Sequence, residues 1–448
     1  MNNMNMEPVE SVVAESLNDL WDQMRSKKGK VKIELKNPVN MNDLAFSDHK
    51  PYFANYEKRI TEIRIPSGGD VFSSEDGKML LHRKGNGNLT LEFTFGEWDH
   101  ADVPDEVDVI GDCAFQEKPV ISVSLPDSVR IIGSFAFYDC RHLKTVRMPK
   151  NLKLIDNMAF NDCESLEKMI IPDSVEEIGE YSFSGCEKLK EVVLPEKIQE
   201  IQSHAFYCCT SLQRVVIKKG VKTIGAGAFS ECESLSDIQL PEGLKYIEEY
   251  AFCGCRNIKY LKLPESLNSL SDESLTGVQV VEIAKPIPKL AKAFMEGSEE
   301  GKCCFSVIFG DRTLIFPREM DGLSMRKTSE ILDDIAELEP GVHSYYTFAL
   351  TTKLKQETAL ESFLLSHNEE IRKYLRRNAS VMIAREAKNG EESFLELIIK
   401  MSKENLLTDT AIKKALKISK EKEWTLTTAE ILQIMEGQKK NRKNGFKL

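Results

Sequence analysis

Phenylalanine recurs at a nearly constant interval through the middle of the chain. The first interval is 22 residues, the next five are 23, and Leu275 occupies the following position in the same phase. A cysteine follows six of these phenylalanines by three residues, and an aliphatic residue comes three residues later. Several positions keep this phase over six consecutive units, which indicates an internal repeat. The phenylalanines are Phe115, Phe137, Phe160, Phe183, Phe206, Phe229 and Phe252.

Each unit predicts one short β-strand. Its paired apolar positions, such as Val192 and Leu194, alternate with polar ones, so that one side of the strand faces inward. A proline such as Pro195 usually follows and ends the strand. The phenylalanine and aliphatic positions fill a core that stacked units can bury together but one unit cannot. We therefore expect a solenoid whose strands lie ~4.8 Å apart and form a parallel sheet on one curved face.

Residues 178–195 carry a resemblance to a known repeat family. This segment resembles the BspA-type leucine-rich repeat, and residues 104–270 match the same pattern closely. Upstream, residues 60–66 predict one more strand that ends in proline, and residues 71–81 predict a hairpin that turns at Asp76-Gly77. The resemblance implies a binding or adhesion solenoid, and many bacterial members of the family are on cell surfaces.

The flanks of the repeats have different patterns. Residues 9–24 place apolar side chains from Val9 to Met24 at helical spacing, which predicts a helix that caps the array; a partner-binding or membrane-surface helix is the alternative. Residues 303–317 predict a hairpin that turns near Gly310-Asp311 and seals the far end of the array. Residues 280–283 predict a last strand.

From residue 324 to residue 437 the apolar period is helical. Five helices are predicted around Ile331, Ile371, Phe394, Ile412 and Ile431. Short helices with short loops indicate stacked hairpins, and the run 394–412 is similar to the ankyrin-like region behind some bacterial leucine-rich arrays, although the ankyrin TPLH motif is absent. The predicted helix N-caps are Thr408, Thr410 and Thr427.

These patterns predict an α+β chain, with a leucine-rich-repeat solenoid followed by an all-α helical-hairpin region. The predicted segments are an N-terminal helix and cap at 1–56, a solenoid at 57–290 with a β-hairpin insertion near 71–98, a capping hairpin at 291–323, helices at 324–437 and a basic tail at 438–448. For that tail we expect a frayed, solvated end, and contact with nucleic acid or an acidic partner is the alternative.

Composition narrows the class of protein. The chain has 448 residues, 41% of them hydrophobic and 29% charged, which excludes a wholly disordered chain. A formal charge of −11 disfavours nucleic acid as a partner, and no apolar run reaches the ~18 residues that a membrane helix needs. The start has neither a basic segment nor an apolar one, so we expect a cytoplasmic protein, with the cell surface or secretion by another route as the alternative.

The residues that usually carry chemistry form no known motif. Six of the eleven cysteines occupy one repeat position, and no Cys-x-x-Cys, HExxH, GxSxG or phosphate-loop motif occurs. We expect these cysteines to be reduced and structural, and a serine at Cys186 to leave a buried hydroxyl without a partner. His100 and Asp102 suggest a base with its orienting carboxylate, but no nucleophile motif lies nearby. The prediction is no enzyme, no metal and no cofactor.

The remaining hypothesis is binding. A monomeric scaffold that binds a protein or peptide ligand of acidic character through the concave sheet face fits best. A surface adhesin, and an enzyme or toxin acting through the helices, are the alternatives. Two side chains per strand point away from the core and predict the site. They are Thr145, Arg147, Lys168, Ile170, Glu191, Val193, Arg214, Val216, Asp237, Gln239, Tyr260 and Lys262. Charge reversal at Arg147 and Arg214 should weaken binding and leave the melting temperature nearly unchanged.

Overall fold

A computed structural model describes residues 9–40, 59–294 and 304–444. The described residues form two compact units. The repeat unit contains those before Gln279 together with Ile287–Phe294, and the helical unit contains Gln279–Pro286 and everything from Cys304 onward.

The N-terminal segment is a strand followed by a helix, so the prediction of one helix over residues 9–24 is wrong in its first half. Strand β1 (Glu10–Ala14) pairs in parallel with β2 (Val31–Leu35), and α1 (Leu17–Ser26) connects them. The valines of β1 are β-branched and alternate between buried and exposed, which favours a strand. Ser16 caps α1 because its hydroxyl accepts a hydrogen bond from the Asp19 N–H.

The predicted strand and hairpin that follow are confirmed. Strand β3 (Ile60–Arg64) continues the sheet of β2, and the antiparallel strands β4 (Val71–Ser73), β5 (Met79–Arg83) and β6 (Leu89–Thr94) come next. The turn itself was predicted wrongly. The Gly77 N–H bonds the Ser74 carbonyl, so residues 75 and 76 form the corner and Gly77, at φ 71°, follows it.

Two rows of parallel strands run along the repeats and confirm the solenoid. The first row has strands of three residues, two in the last member, and forms the surface that we call the strand face. Its members are β7 (His100–Asp102), β9 (Ser122–Ser124), β11 (Thr145–Arg147), β14 (Glu191–Val193), β16 (Arg214–Val216), β18 (Asp237–Gln239) and β20 (Leu261–Lys262).

The second row has two-residue strands and continues from β6. It was not predicted as a sheet. Its members are β8 (Val109–Ile110), β10 (Ile131–Ile132), β12 (Leu154–Ile155), β13 (Glu177–Ile178), β15 (Glu200–Ile201), β17 (Thr223–Ile224), β19 (Tyr246–Ile247) and β21 (Ser269–Leu270).

The repeat phenylalanines form one continuous stack. Rings from Phe115 to Phe252 are fully buried, with neighbouring centroids 4.9 to 5.7 Å apart and planes within 14° of parallel. Each unit thus places one ring on the ring of the unit before it, and a single unit would leave both ring faces exposed. This is why the 23-residue period appears in the sequence.

Each turn around the phenylalanine uses left-handed backbone. In the Phe183 turn, Tyr181 has a φ of 53° and Gly185 a φ of 72°, and the equivalent residues of the other turns also have positive φ. Backbone hydrogen bonds between turns stabilise this geometry. The Tyr181 N–H donates to the backbone carbonyl of Ser203, and the Gly185 N–H donates to that of Tyr207.

Both strand rows are interrupted between the Phe160 and Phe183 units. No strand forms at 168–170, and β13 has no ladder bonds to β15 within the described residues. The turns remain bonded at this level, because the Phe160 N–H donates to the Ser182 carbonyl at 2.7 Å. The strand face is also divided between β18 and β20, which belong to different sheets. The expected single continuous sheet is therefore not formed.

A short helix closes the last turn of the repeat unit. Helix α2 (Leu290–Ala293) accepts backbone bonds at Lys292 and Ala293 from Glu273 and Leu275. Leu290 and Ala293 of this helix are buried, so the helix supplies the apolar cover that a terminal repeat needs. The sequence pattern did not predict this element.

The helical unit begins with strands. The predicted last strand is confirmed as β22 (Val280–Glu282), and the predicted hairpin as β23 (Cys304–Phe309) and β24 (Arg312–Pro317). Strand β25 (Gly341–Ser344) pairs in parallel with β24 and was not predicted. Cys303 lies outside the described residues.

Helices make up the rest of this unit. They are α3 (Gly322–Asp333), α4 (Thr352–Ser366), α5 (Glu369–Glu386), α6 (Glu391–Lys403), α7 (Asp409–Glu421) and α8 (Thr425–Asn444), with short 3₁₀ helices at Ile335–Glu337 and Tyr346–Phe348.

The predicted helix caps and ends need correction. Thr408 does cap α7, because its hydroxyl accepts from the Ala411 N–H, whereas Thr410 and Thr427 lie inside helices. Helix α8 continues to Asn444, so the region predicted as a tail from residue 438 is helical over most of its length. In the described ranges no helix is both long and apolar enough to cross a bilayer.

Candidate interaction surface on the strand face

The inward and outward side chains of the strand face separate as alternation predicts. Val192 and Val215 are buried, while the residues on either side of them point to solvent. Eleven of the twelve predicted site residues are exposed and Val216 is half-buried. The structure therefore places these side chains on one surface, and their role in binding stays a prediction.

The segment 168–170 is the irregular part of this surface. The backbone groups of Lys168, Met169 and Ile170 make no hydrogen bond to any other described residue, although strands lie on both sides in the repeat order. The Met169 side chain is still buried, so the segment keeps its inward anchor. The interruption leaves strand-like donors and acceptors on the surface.

An apolar patch begins at this segment. Ile170 is 67% exposed, more than any other large apolar side chain described in the repeat unit, and Val193 is 41% exposed. Val193 lies directly opposite Val216 in the register of β14 and β16. Exposed aliphatic residues in neighbouring repeats therefore line the middle of the strand face.

The charges of the strand face are largely paired with one another. The Arg214 guanidinium contacts the Glu191 and Asp237 carboxylates at 3.0 Å each, across three adjacent strands. This arrangement contradicts the expectation that Arg214 can be reversed without effect on stability, because Arg214→Glu would align three carboxylates. The predicted site residues still carry four basic and two acidic side chains, but Arg214 itself is already paired with both carboxylates.

Two more cations on this face differ in their environment. Arg147 donates to the Leu125 carbonyl at 2.8 Å and lies 3.6 Å from the Asp127 carboxylate. Lys168 has no hydrogen bond or ion pair with any described residue and stands beside exposed Ile170. Lys168 is thus the cation on this face that is available to a ligand.

His100 is better connected than its sequence context suggested. Its Nδ1 lies 2.7 Å from the Ser122 hydroxyl and its Nε2 lies 2.9 Å from the Asp102 carboxylate. The register of β7 and β9 places His100 opposite Ser122, 22 residues away, which sequence motifs did not reveal. Both members of the His100–Asp102 pair are exposed, so this trio lacks the water-excluding environment that strengthens catalytic electrostatics.

The repeated cysteines are buried thiols that donate hydrogen bonds. The Sγ of Cys163 donates to the Phe137 carbonyl at 3.2 Å, and every cysteine of the row bonds the phenylalanine of the preceding unit in the same way. The expectation that a hydroxyl at Cys186 would lack a partner is therefore wrong. Burial raises the pKa of Cys140 to about 12 and that of Cys186 well above its usual value.

The cysteines also make no metal site in the described part of the chain. No group of three metal-ligating side chains occurs there, and none of the ten described cysteines forms a disulfide. In the first complete turn the cysteine position is occupied by Lys118, which is buried.

The strand geometry and the repeat length define a leucine-rich-repeat solenoid. Residues 108–236 and 199–289 match the family described as the BspA type leucine rich repeat region, in six copies. The repeat region of the chain is therefore of this type. No curated protein matches the chain significantly.

Solved structures of leucine-rich repeat proteins are similar to parts of the chain. One from Bacteroides ovatus is 29% identical with a TM-score of 0.42, and the similarity covers 47% of this chain and only 60% of that one. One from Bacteroides capillosus is 32% identical with a TM-score of 0.23, covering 24% of this chain and 86% of that one. A leucine-rich cell surface protein from Faecalibacterium prausnitzii is 20% identical with a TM-score of 0.35, covering 66% and 98%.

Proposed function

We propose that this protein is a non-enzymatic interaction scaffold that binds a protein or peptide ligand through the strand face. The observation that carries the proposal is the irregular segment 168–170, where an exposed isoleucine, an unpaired lysine and open backbone groups lie together. An extended peptide needs such backbone donors and acceptors, and an exposed aliphatic side chain supplies an anchor. The neighbouring Val193 and Val216 extend the apolar contact.

The charge arrangement supports a ligand that is only weakly acidic. Because Arg214 is already bonded to Glu191 and Asp237, Lys168 provides the available positive charge near the patch. Neither nucleic acid nor an anionic membrane fits a strand face whose available cation among the described residues is Lys168, on a chain of charge −11. The helices add a second contact surface in this proposal, and their ankyrin-like character stays a prediction.

Cross-linking from a single position tests the proposal. A photoreactive phenylalanine analogue at position 170 in the full chain, expressed in the native cell, should capture a discrete protein partner identifiable by mass spectrometry. The matched control is the same analogue at Tyr246, which is 45% exposed on the second strand row. Capture of the same partner from position 246 but not 170 would move the site to the opposite row.

The compartment of this scaffold is a separate part of the proposal. A cytoplasmic protein is the first candidate, and a surface-located adhesin is the alternative. Fractionation of the native cells, with the intact protein detected by antibody, separates the two. Protease added to intact cells should leave a cytoplasmic protein uncut and should cleave an adhesin.

A further inference from the structure

An open groove lies at one side of the strand face, away from Ile170. It encloses about 610 Å³ and crosses three successive repeats. Its lining is Gln213, Ser234, Ser236, Asn257, Lys259 and Tyr260. Five of these six residues carry amide or hydroxyl groups, and none is aliphatic.

The repeat register builds this groove. Gln213, Ser236 and Lys259 stand at 23-residue spacing, one or two residues before the strand of their unit, so they form one row. Ser234 and Asn257 occupy a second row two residues earlier. In the preceding units the first row holds Lys144, Glu167 and Lys190, so the change to the uncharged Gln213 and Ser236 is local.

The polar groups of the groove are mostly not used within the protein. The side chains of Gln213, Ser234, Ser236 and Lys259 make no hydrogen bond or ion pair with other described residues. Asn257 donates one amide hydrogen to the Glu233 carbonyl at 2.8 Å, which fixes its orientation. A cluster of donors and acceptors with so few internal partners can serve a ligand rich in hydroxyl groups.

The remaining lining residues add an aromatic face and a charge. The Tyr260 ring is 48% exposed at the edge of the groove, and such a ring packs against the apolar face of a sugar. Lys259 is the only charged residue in the lining. A carboxylate on the ligand would therefore meet a cation and no lining carboxylate.

We propose that this groove binds an acidic saccharide, with amide and hydroxyl side chains contacting the sugar hydroxyls, Tyr260 packing on a ring face and Lys259 contacting a carboxylate. The row of Gln213, Ser236 and Lys259 repeats every ~4.8 Å, close to the length of one sugar unit in a linear chain, so neighbouring repeats contact neighbouring sugars. A peptide fits less well, because the groove offers no aliphatic pocket for its side chains.

The first experiment uses the full chain on an array of oligosaccharides. The array carries galacturonic, glucuronic, mannuronic and sialic acid oligomers beside their neutral counterparts. At least one acidic series should be retained, and its neutral counterpart should bind tenfold more weakly or worse. Retention of no saccharide, or of neutral saccharides alone, would overturn the proposal.

The second experiment assigns the binding to the groove by calorimetry with the retained oligomer. Tyr260→Ala and Lys259→Met should each weaken binding at least tenfold. Tyr246→Ala and Lys245→Met are matched controls on the second strand row and should leave affinity unchanged. Equal losses in the controls, or no loss at Tyr260 and Lys259, would contradict the assignment. Ile170 lies outside the groove, so the result is independent of the protein-partner proposal.

Discussion

The Sγ of Cys186 donates a hydrogen bond to the backbone carbonyl of Phe160 at 3.3 Å, across the boundary between two repeats. The same carbonyl also accepts the Cys163 N–H, so it remains bonded without the thiol. The cysteine row therefore combines tight packing with a weak bond between units, and this explains why a small donor suits the position.

This geometry predicts the order of two substitutions. Cys186→Ala removes sulfur from a fully buried site and should lower the free energy of unfolding by about 1–2 kcal/mol. Cys186→Ser should cost no more, because the hydroxyl can donate to the Phe160 carbonyl in place of the thiol. Urea denaturation followed by circular dichroism measures both, with the half-buried Cys208→Ala as a control. A serine variant much less stable than the alanine variant would contradict a hydrogen bond from the side chain at position 186 to the Phe160 carbonyl.

The raised pKa values predict behaviour at alkaline pH. The pKa of the Cys140 thiol is about 12 when folded, against 9.0 as its ordinary value. The unfolded chain loses these protons first, so stability is intact below pH 9 and should fall as the pH rises toward 12. Unfolding midpoints in urea between pH 7 and pH 11 test this. At pH 8 the row should also react with Ellman's reagent only after unfolding.

Charge reversal at Arg214 should destabilise the strand face. Arg214→Glu replaces two ion pairs by two repulsions between adjacent strands, with an expected loss of about 1 kcal/mol at low salt. Lys168→Glu is the control, since Lys168 has no ion pair with the described residues, and its melting temperature should stay nearly unchanged. Equal melting temperatures for the two variants would show that the Arg214 pairs contribute nothing.

Two truncated chains test whether the repeat unit ends at α2 or at the hairpin that follows it. A chain that ends after Phe294 keeps α2 over the last turn and should stay soluble and folded. A chain that ends at Pro317 keeps the hairpin but loses β25 and the Tyr345 ring that stacks on Phe316 at 4.7 Å. This second chain exposes an apolar strand edge and should aggregate, as light scattering would show. If the chain that ends at Pro317 stayed soluble and the chain that ends at Phe294 aggregated, the boundary of the repeat unit at Phe294 would be wrong.

The sequence predicted the repeats because their physics is periodic. A buried ring must stack on the next ring, so Phe137 and Phe160 recur at the spacing of one turn. Predictions failed where this period is absent. Helix α4 was missed because it buries Gln356, Thr358 and Ser362, which hide its apolar period. Strand β1 was taken as helical because three valines over five positions fit either period.

The candidate site was only partly predictable. Alternation along each strand places Ile170 and Val193 at the surface, and the structure agrees on their exposure. The Arg214 pairs follow from the 23-residue spacing of Glu191, Arg214 and Asp237, a signal that was present and not used. The interruption at 168–170 has no sequence signal that we can identify, because this segment has the same pattern of apolar residues as its neighbours.

The joint between the Phe160 and Phe183 units has a mechanical consequence. Every other junction between the Phe115 and Phe252 units keeps at least one hydrogen-bonded ladder beside its bonded turn. Here neither ladder forms, and the units are joined by the turn, the rings stacked 5.3 Å apart, the Cys186–Phe160 hydrogen bond and the Lys197–Glu176 ion pair. The junction with the fewest backbone hydrogen bonds should open before the others. Under tension in an optical trap, we expect the array to part first at this junction and to leave two stiff fragments of similar length.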